Sequence, residues 1–274
     1  MAVIVLTGAS AGIGAAAAIE LTRQGHQVVA SGRSADKLRS VHEQMSAVAP
    51  PGIDVPEPIP ADLSSFAEVR RLAHTIIERF ATIDVLANNA GMTTARRQVS
   101  VEGIEAVFAV NHLAAFLLTN LLLERLQGSG GRVVTTASAV HRMGRIDFED
   151  LQLERGWSRM GAYARSKLAN ILFTAELRRR SRLATSCFHP GTIATDLWRD
   201  TWMGRTAKLF GGFMRSPQRG ADTLVWLATS EEGGSPTGLY YIDRKPAKPA
   251  ETATDPSTAA RLWTESAVLV GLSA

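Results

Sequence analysis

Thr7-Gly-Ala-Ser-Ala-Gly-Ile-Gly14 stands where a short β-branched run, Val3 to Thr7, gives way to an alanine-rich helical pattern. A buried strand that hands over to a helix through glycines is the first crossover of a parallel sheet. Glycines at 8, 12 and 14 let backbone approach a pyrophosphate, and the positive end and free N–H groups of the following helix would hold its charge, with Ser10 and Ile13 in the same turn. The spacing is Gly-x-x-x-Gly-x-Gly rather than Gly-x-Gly-x-x-Gly. A glycine cluster alone also serves a plain turn.

Outward from this turn, β-branched runs alternate with longer helical patterns. Strands are expected at Val3 to Thr7, Gln27 to Ala30, Ile59 to Ala61, Ile83 to Ala87, Arg132 to Thr136, Ala184 to Phe188 and Gly238 to Ile242. Helices are expected at about 12 to 24, 35 to 47, 65 to 80, 104 to 127, 159 to 180 and 218 to 229, the fourth being two shorter helices or one bent one. The result is an α/β fold: a single Rossmann-type domain over residues 1–274, with a doubly wound seven-stranded parallel sheet flanked by helices. Pro50 to Gly52 and Pro56 to Pro60 mark a surface loop too short to divide domains. After the second strand, Ala30-Ser-Gly-Arg33 offers no acid to a ribose 2′-hydroxyl, while Arg33 could meet a 2′-phosphate; the plain alternative is that Arg33 faces solvent. This favours NADP(H) over NAD(H).

Composition sets bounds on partners. The chain is 45% hydrophobic and 20% charged, an ordinary globular make-up that fits one large domain. The pI near 9.6 suggests nucleic acid, but the net charge is only +4 and the densest basic run, Arg178 to Arg180, suits the C-terminal turn of a helix. No nucleic-acid partner is expected. Cys187, the single cysteine, excludes an intrachain disulfide and reads as part of a buried strand. No apolar run approaches the roughly 20 residues of a membrane span, so a soluble, cytoplasmic protein is expected.

Tyr163-Ala-Arg-Ser-Lys167 carries the chemistry. A phenol and an ammonium four residues apart share one helix face. A nearby cation favours the phenolate and brings a pKa of about 10 toward the working range of a proton donor. Such pairs are also common on solvated helices. Ser138 follows the apolar run Val133-Val134 at the carboxyl end of a strand, where ligands of doubly wound sheets bind. Asn111 lies in an apolar helical stretch, an odd home for an amide. Asp62, ending the third strand, reads as a helix N-cap partner, which does not exclude a further role. No metal site is expected, and His141 and His189 read as structural.

Together Thr7 to Gly14, Asp62-Leu63, Asn88-Asn89-Ala90-Gly91, Asn111, Ser138, Tyr163 with Lys167, and Pro190-Gly191 with Thr195 resemble the short-chain dehydrogenase/reductase family from about residue 2 to about residue 243. The resemblance implies that Ser138 holds a substrate carbonyl, Tyr163 passes the proton, Lys167 binds the nicotinamide ribose and lowers the Tyr163 pKa, and Asn111 continues a relay to water. It also implies cofactor contacts from Asp62 and Leu63, from Asn89, Ala90 and Gly91, and from Pro190, Gly191, Ile193 and Thr195. The long interval between Ser138 and Tyr163, Ser166 to Phe173, His189-Pro-Gly191 and Tyr240 to Asp243 resemble the retinol-dehydrogenase-like branch, which implies lipophilic aldehydes, ketones and alcohols as substrates, with NADP(H).

Trp198, Trp202 and Phe210 lie in an apolar stretch, residues 192–216, that reads as a substrate lid over a hydrophobic small molecule or as an amphipathic helix on the core. The tail, residues 244–274, begins with an extended segment, Arg244 to Pro249. A short helix follows, opened by Asp255-Pro256, with Trp263, Leu269 and Val270 covering the substrate mouth or a subunit face. The family resemblance implies a homo-oligomer, dimer or tetramer, to which apolar Phe116 to Leu123 and Leu168 to Phe173 could contribute. Two other readings stay open: the same fold catalysing alkene reduction or a cofactor-assisted cyclisation, and a non-catalytic NADP(H) sensor or scaffold, against which the intact Asn, Ser, Tyr and Lys set argues.

Overall fold

The structure, a computed structural model, describes residues 1–191, 216–236 and 238–273. Seven strands run parallel: β1 (Val3–Thr7), β2 (Gln27–Gly32), β3 (Ile59–Pro60), β4 (Val85–Asn88), β5 (Arg132–Thr136), β6 (Ala184–His189) and β7 (Tyr240–Ile242). An eighth, β8 (Lys245–Pro246), pairs antiparallel with β7. The seven expected parallel strands are all present, and the described residues add this short antiparallel eighth. Asp243 and Arg244 both adopt positive φ, 50° and 61°, and so turn the chain back on itself within the segment expected to run extended.

The strand order β3-β2-β1-β4-β5-β6-β7-β8 reverses direction between β1 and β4, which opens a crevice at their carboxyl ends. Ile4, Val5 and Leu6 are fully buried, as a central parallel strand covered on both faces requires. One face packs under α1 (Gly12–Arg23), α2 (Ala35–Val48) and α8 (Pro217–Thr229). The other packs under α3 (Phe66–Arg79), the segments after β4, and α7 (Arg159–Arg180). Side chains mark several starts: Ser34 accepts from Lys37 N–H, Ser158 from Gly161 N–H and Ser216 from Arg219 N–H.

The helix expected at 104 to 127 is divided into α4 (Ala106–Phe108), a π-helical stretch Ala109–Leu113, α5 (Ala114–Leu121) and α6 (Leu123–Gly128). The short α9 (Glu231–Gly234) follows α8. The tail helix, α10 (Pro256–Leu269), is fourteen residues long, longer than the short helix expected, and the Asp255 carboxylate accepts from Thr258 N–H at 2.8 Å.

The tail packs on its own chain. Trp263 lies nearly parallel to Phe173 at 5.9 Å between centroids and meets Phe116 edge-on at 4.8 Å. It therefore covers the apolar side of α5 and α7 that offered a subunit face. Full burial of a phenylalanine ring is worth about 1.5–3 kcal/mol, and Trp263 itself is half-buried. Among the described residues, no helix is long and apolar enough to cross a membrane.

Candidate active site

The turn between β1 and α1 presses against the end of β4. Gly8 sits at φ +68°, and a methyl on it would come within 2.7 Å of the Ala90 Cα. On Gly14 a methyl would run into the Gly8 carbonyl oxygen and come within 2.7 Å of Asn89 Nδ2. Thr7 ties the two segments: its hydroxyl accepts from Asn89 N–H and Ala90 N–H, each at 3.1 Å, and Asn89 Nδ2 donates to the Thr7 carbonyl at 3.0 Å. Ala11 brings no capping side chain to α1, and the first turn holds no acid. The turn with Gly12 and Ile13 thus offers backbone N–H groups at a positive helix end, a cradle suited to a phosphate.

Around this cradle, Ser10 packs on the α-carbon of Gly32, and Arg33 is exposed just beyond β2. The Asp62 carboxylate accepts from Ser64 N–H at 3.0 Å and the Ser64 hydroxyl at 2.8 Å. Leu63 beside it is buried. Asp62 thus shapes the turn into α3, whereas the Phe66 N–H at the start of that helix donates to Glu102. Pro190 and Gly191, at φ +87°, follow β6. Ile193, Thr195, Trp198, Trp202 and Phe210 lie outside the described residues.

At the carboxyl ends of β4 and β5 four side chains converge. Ser138 and Tyr163 are both 8% exposed and hydrogen-bonded to each other. Lys167 donates from Nζ to the Thr136 carbonyl at 3.0 Å and lies 5.5 Å from the Tyr163 ring centroid. The Asn111 Oδ1 accepts from Met92 N–H at 2.7 Å, and its Nδ2 donates to the Met92 carbonyl and the Ser166 hydroxyl, each at 3.0 Å. Gly91 joins them: a methyl on it would end 3.4 Å from Lys167 Nζ and 3.5 Å from Asn111 Oδ1. The π-helical turn turns Asn111 inward, as such turns often do at functional sites.

Burial dominates the electrostatics. It pushes the Tyr163 phenol up to about 12, opposed by the Ser138 hydrogen bond, and pulls the Lys167 ammonium down to about 8. The expected lowering of the phenol by the lysine charge does not appear: loss of water around the ring sets the shift, and the opposing influence is Ser138. At neutral pH the phenol holds its proton and the lysine is mostly charged. A serine hydroxyl and a protonated phenol side by side can meet an oxygen that gains negative charge.

Sequence reasoning missed several neighbours. Asn170 shares the Thr136 carbonyl with Lys167, donating at 3.2 Å. Val107, Val140, Leu153 and Trp157 form an apolar cluster with Tyr163, the last three supplied by the long interval between Ser138 and Tyr163. Leu153 has φ +46°, a backbone conformation rare outside glycine. Arg165 and Glu105, both buried, form a 3.0 Å ion pair, and the Trp157 indole N–H donates to the same carboxylate at 3.2 Å. Among the described residues no group of His, Cys, Asp and Glu could hold a metal ion.

The crevice, its glycine turn and the Ser138–Tyr163 pair beside it are the features of a dinucleotide-binding oxidoreductase of the Rossmann type. The pattern of the short chain dehydrogenase family matches residues 2–205, and the chain belongs to that family. It is 41% identical over 270 residues to the Streptomyces sp. (strain C5) protein named "Putative daunorubicin C-13 ketoreductase DnrU", covering 98% of this chain and 92% of that one. Human retinol dehydrogenase 13 is 37% identical over 286 residues, covering 99% and 85%, which bears out the likeness to the retinol-dehydrogenase-like branch. An X-ray structure of an alcohol dehydrogenase from the archaeon Thermococcus sibiricus, complexed with 5-hydroxy-NADP, is 26% identical at a TM-score of 0.61, covering 83% of this chain and 90% of that one.

Proposed function

We propose that this chain is an NADP(H)-dependent oxidoreductase that moves a hydride between the nicotinamide and a carbonyl or alcohol carbon of a bulky, largely apolar small molecule. The observation that carries the reading is the hydrogen-bonded Ser138–Tyr163 pair, buried beside Lys167 at the mouth of the β1–β4 crevice. The cradle fits a dinucleotide, because Gly8 and Gly14 leave no room for a Cβ and α1 offers uncapped N–H groups. Arg33, where an acid would favour an unphosphorylated ribose, supports NADP(H), as does the cofactor named for the Thermococcus structure. The names of the two relatives, a ketoreductase and a retinol dehydrogenase, agree with carbonyl–alcohol chemistry. The apolar cluster around Tyr163 supports a hydrophobic substrate.

The bound nicotinamide supplies or accepts the hydride. In the reducing direction Ser138 donates to the carbonyl oxygen, and Tyr163 gives its phenolic proton to that oxygen as its charge builds. In the oxidising direction the proton returns to the phenolate. Lys167 would hold the ribose and stabilise that phenolate, and Asn111 would carry the proton path onward from the lysine. A dimer or tetramer would have to use faces other than the α5 and α7 side chains that Trp263 covers.

The test is NADPH oxidation by the parent and Tyr163→Phe against bulky aliphatic and aromatic aldehydes and ketones, with NADH in parallel. Turnover with NADPH should fall at least about a hundredfold in the variant while cofactor still binds. Undiminished turnover in Tyr163→Phe, or a preference for NADH, would contradict the assignment.

A further inference from the structure

We propose that His141 is a positioning residue, which fixes Ser138 by fastening it to the C-terminal segment. The inference rests on the reading of Ser138 given above. Ser138 leaves β5 in an extended conformation, φ −163° and ψ 155°, and a single 3-10 turn, Ala139–Met143, follows it. His141 in that turn is fully buried. Its Nε2 accepts from Ala250 N–H at 3.0 Å, so in the neutral ring the proton sits on Nδ1. Nδ1–H then donates to the Ser138 carbonyl oxygen at 2.6 Å. The same oxygen also accepts the His141 backbone N–H at 3.1 Å, so one residue holds it twice.

The surroundings leave the ring little freedom. Tyr240 of β7 meets it edge-on at 5.2 Å, and the Arg142 guanidinium donates to the Lys248 carbonyl at 2.6 Å, a second tie between this turn and the tail. Burial lowers the His141 pKa, keeping the imidazole in the neutral form this arrangement needs. A continuous path therefore runs from Ala250, which opens the 3-10 turn Glu251–Ala253, through His141 to Ser138 and across its hydroxyl to Tyr163. Movement of the Ser138 hydroxyl by a fraction of an ångström would spoil its aim at a reacting oxygen, and misplacement of about 1 Å can cost about a hundredfold in rate.

Two substitutions separate the halves of the link. Asparagine can place its amide nitrogen near Nδ1 and keep the Ser138 bond without reaching Ala250, whereas glutamine can place its oxygen near Nε2 and keep the tail bond alone. His141→Phe removes both. Turnover of the best carbonyl substrate should fall about tenfold to a hundredfold in His141→Phe and less in His141→Asn and His141→Gln. NADPH affinity, read by fluorescence titration, should stay within about twofold, because the cradle lies on other elements. In a Ser138→Ala background, His141→Phe should lower turnover no further.

Full turnover in a folded His141→Phe protein overturns the proposal. So does an equal loss with and without Ser138, since that marks general damage. If the phenylalanine variant does not fold, the asparagine and glutamine variants decide: parental turnover in both overturns the link. Ser138→Ala turning over like the parent would remove the reading of Ser138 itself, an outcome distinct from failure at His141 alone.

Discussion

Acidification from pH 7 to pH 5 should cost this fold about 2 kcal/mol through one side chain, His112. His112 is fully buried in the π-helical stretch, with ring centroids of Phe108, Phe173 and Phe116 at 5.0, 6.1 and 6.3 Å and the Ser266 hydroxyl 2.9 Å from Nε2. Burial pushes its pKa down from 6.5 to about 3; the Asn170 side chain works against that shift and the Arg165 charge adds to it. Because the folded pKa lies below the unfolded one, the unfolded chain binds the proton first. The contribution of neutral His112 is fully present above pH 6.5 and is lost progressively as pH falls toward 3. Protonation of an unfolded histidine of pKa 6.5 is worth about 0.2 kcal/mol at pH 7 and about 2.1 kcal/mol at pH 5. The difference holds for any folded pKa below about 4. Urea unfolding of the parent and His112→Gln at both pH values isolates it, since the other histidines cancel in the comparison. The parent should lose about 2 kcal/mol more than the variant. Equal losses, or a His112 imidazole resonance titrating near 6.5, would refute the reasoning.

Gly14→Ala should weaken NADPH binding at least about tenfold and cost about 1–3 kcal/mol of stability, because its methyl meets the Gly8 carbonyl and the Asn89 amide; cofactor titration and thermal unfolding read both. Reduction should decline above about pH 8 as the buried Lys167 ammonium loses its proton, while Tyr163, pushed up to about 12, keeps its own. Lys167→Arg should remove that limb from the pH–rate profile, because a guanidinium stays charged. Arg165→Met should cost about 3–5 kcal/mol, since it leaves the Glu105 carboxylate buried without a counter-charge, and Glu105→Gln in the same chain should restore part of the loss in a denaturant melt.

The features legible in the sequence share a local cause. The β-branched runs, the glycine turn, the Asp255-Pro256 helix start and the Tyr163–Lys167 spacing are each fixed within a few residues by sterics or hydrogen-bond reach. What was not legible depends on contacts far apart in the chain. Glu105 and Arg165, sixty residues apart, carry charges that sequence patterning places at the surface, yet each is buried because the other is there. The π-helical turn at Asn111 has no side-chain signature in an apolar run. The β7–β8 turn uses Asp243 and Arg244 at positive φ, where glycine would have announced it.

The two halves of the site are held differently. The glycine cradle is built from backbone and one hydroxyl: Gly8, Gly14 and the Thr7 side chain bring β1, α1 and the end of β4 together at short range in space. Three of the four side chains that converge beside it are instead held by polar partners. Asn111 rests on Met92, Lys167 shares the Thr136 carbonyl with Asn170, and the Ser138 carbonyl leans on His141 and through it on Ala250. Buried polar groups are costly unless satisfied, so these partners restrict position more sharply than apolar packing does. Damage to the tail should therefore reach the Ser138 end of the site before it reaches the dinucleotide cradle, and the two should separate as a loss of turnover at unchanged NADPH affinity.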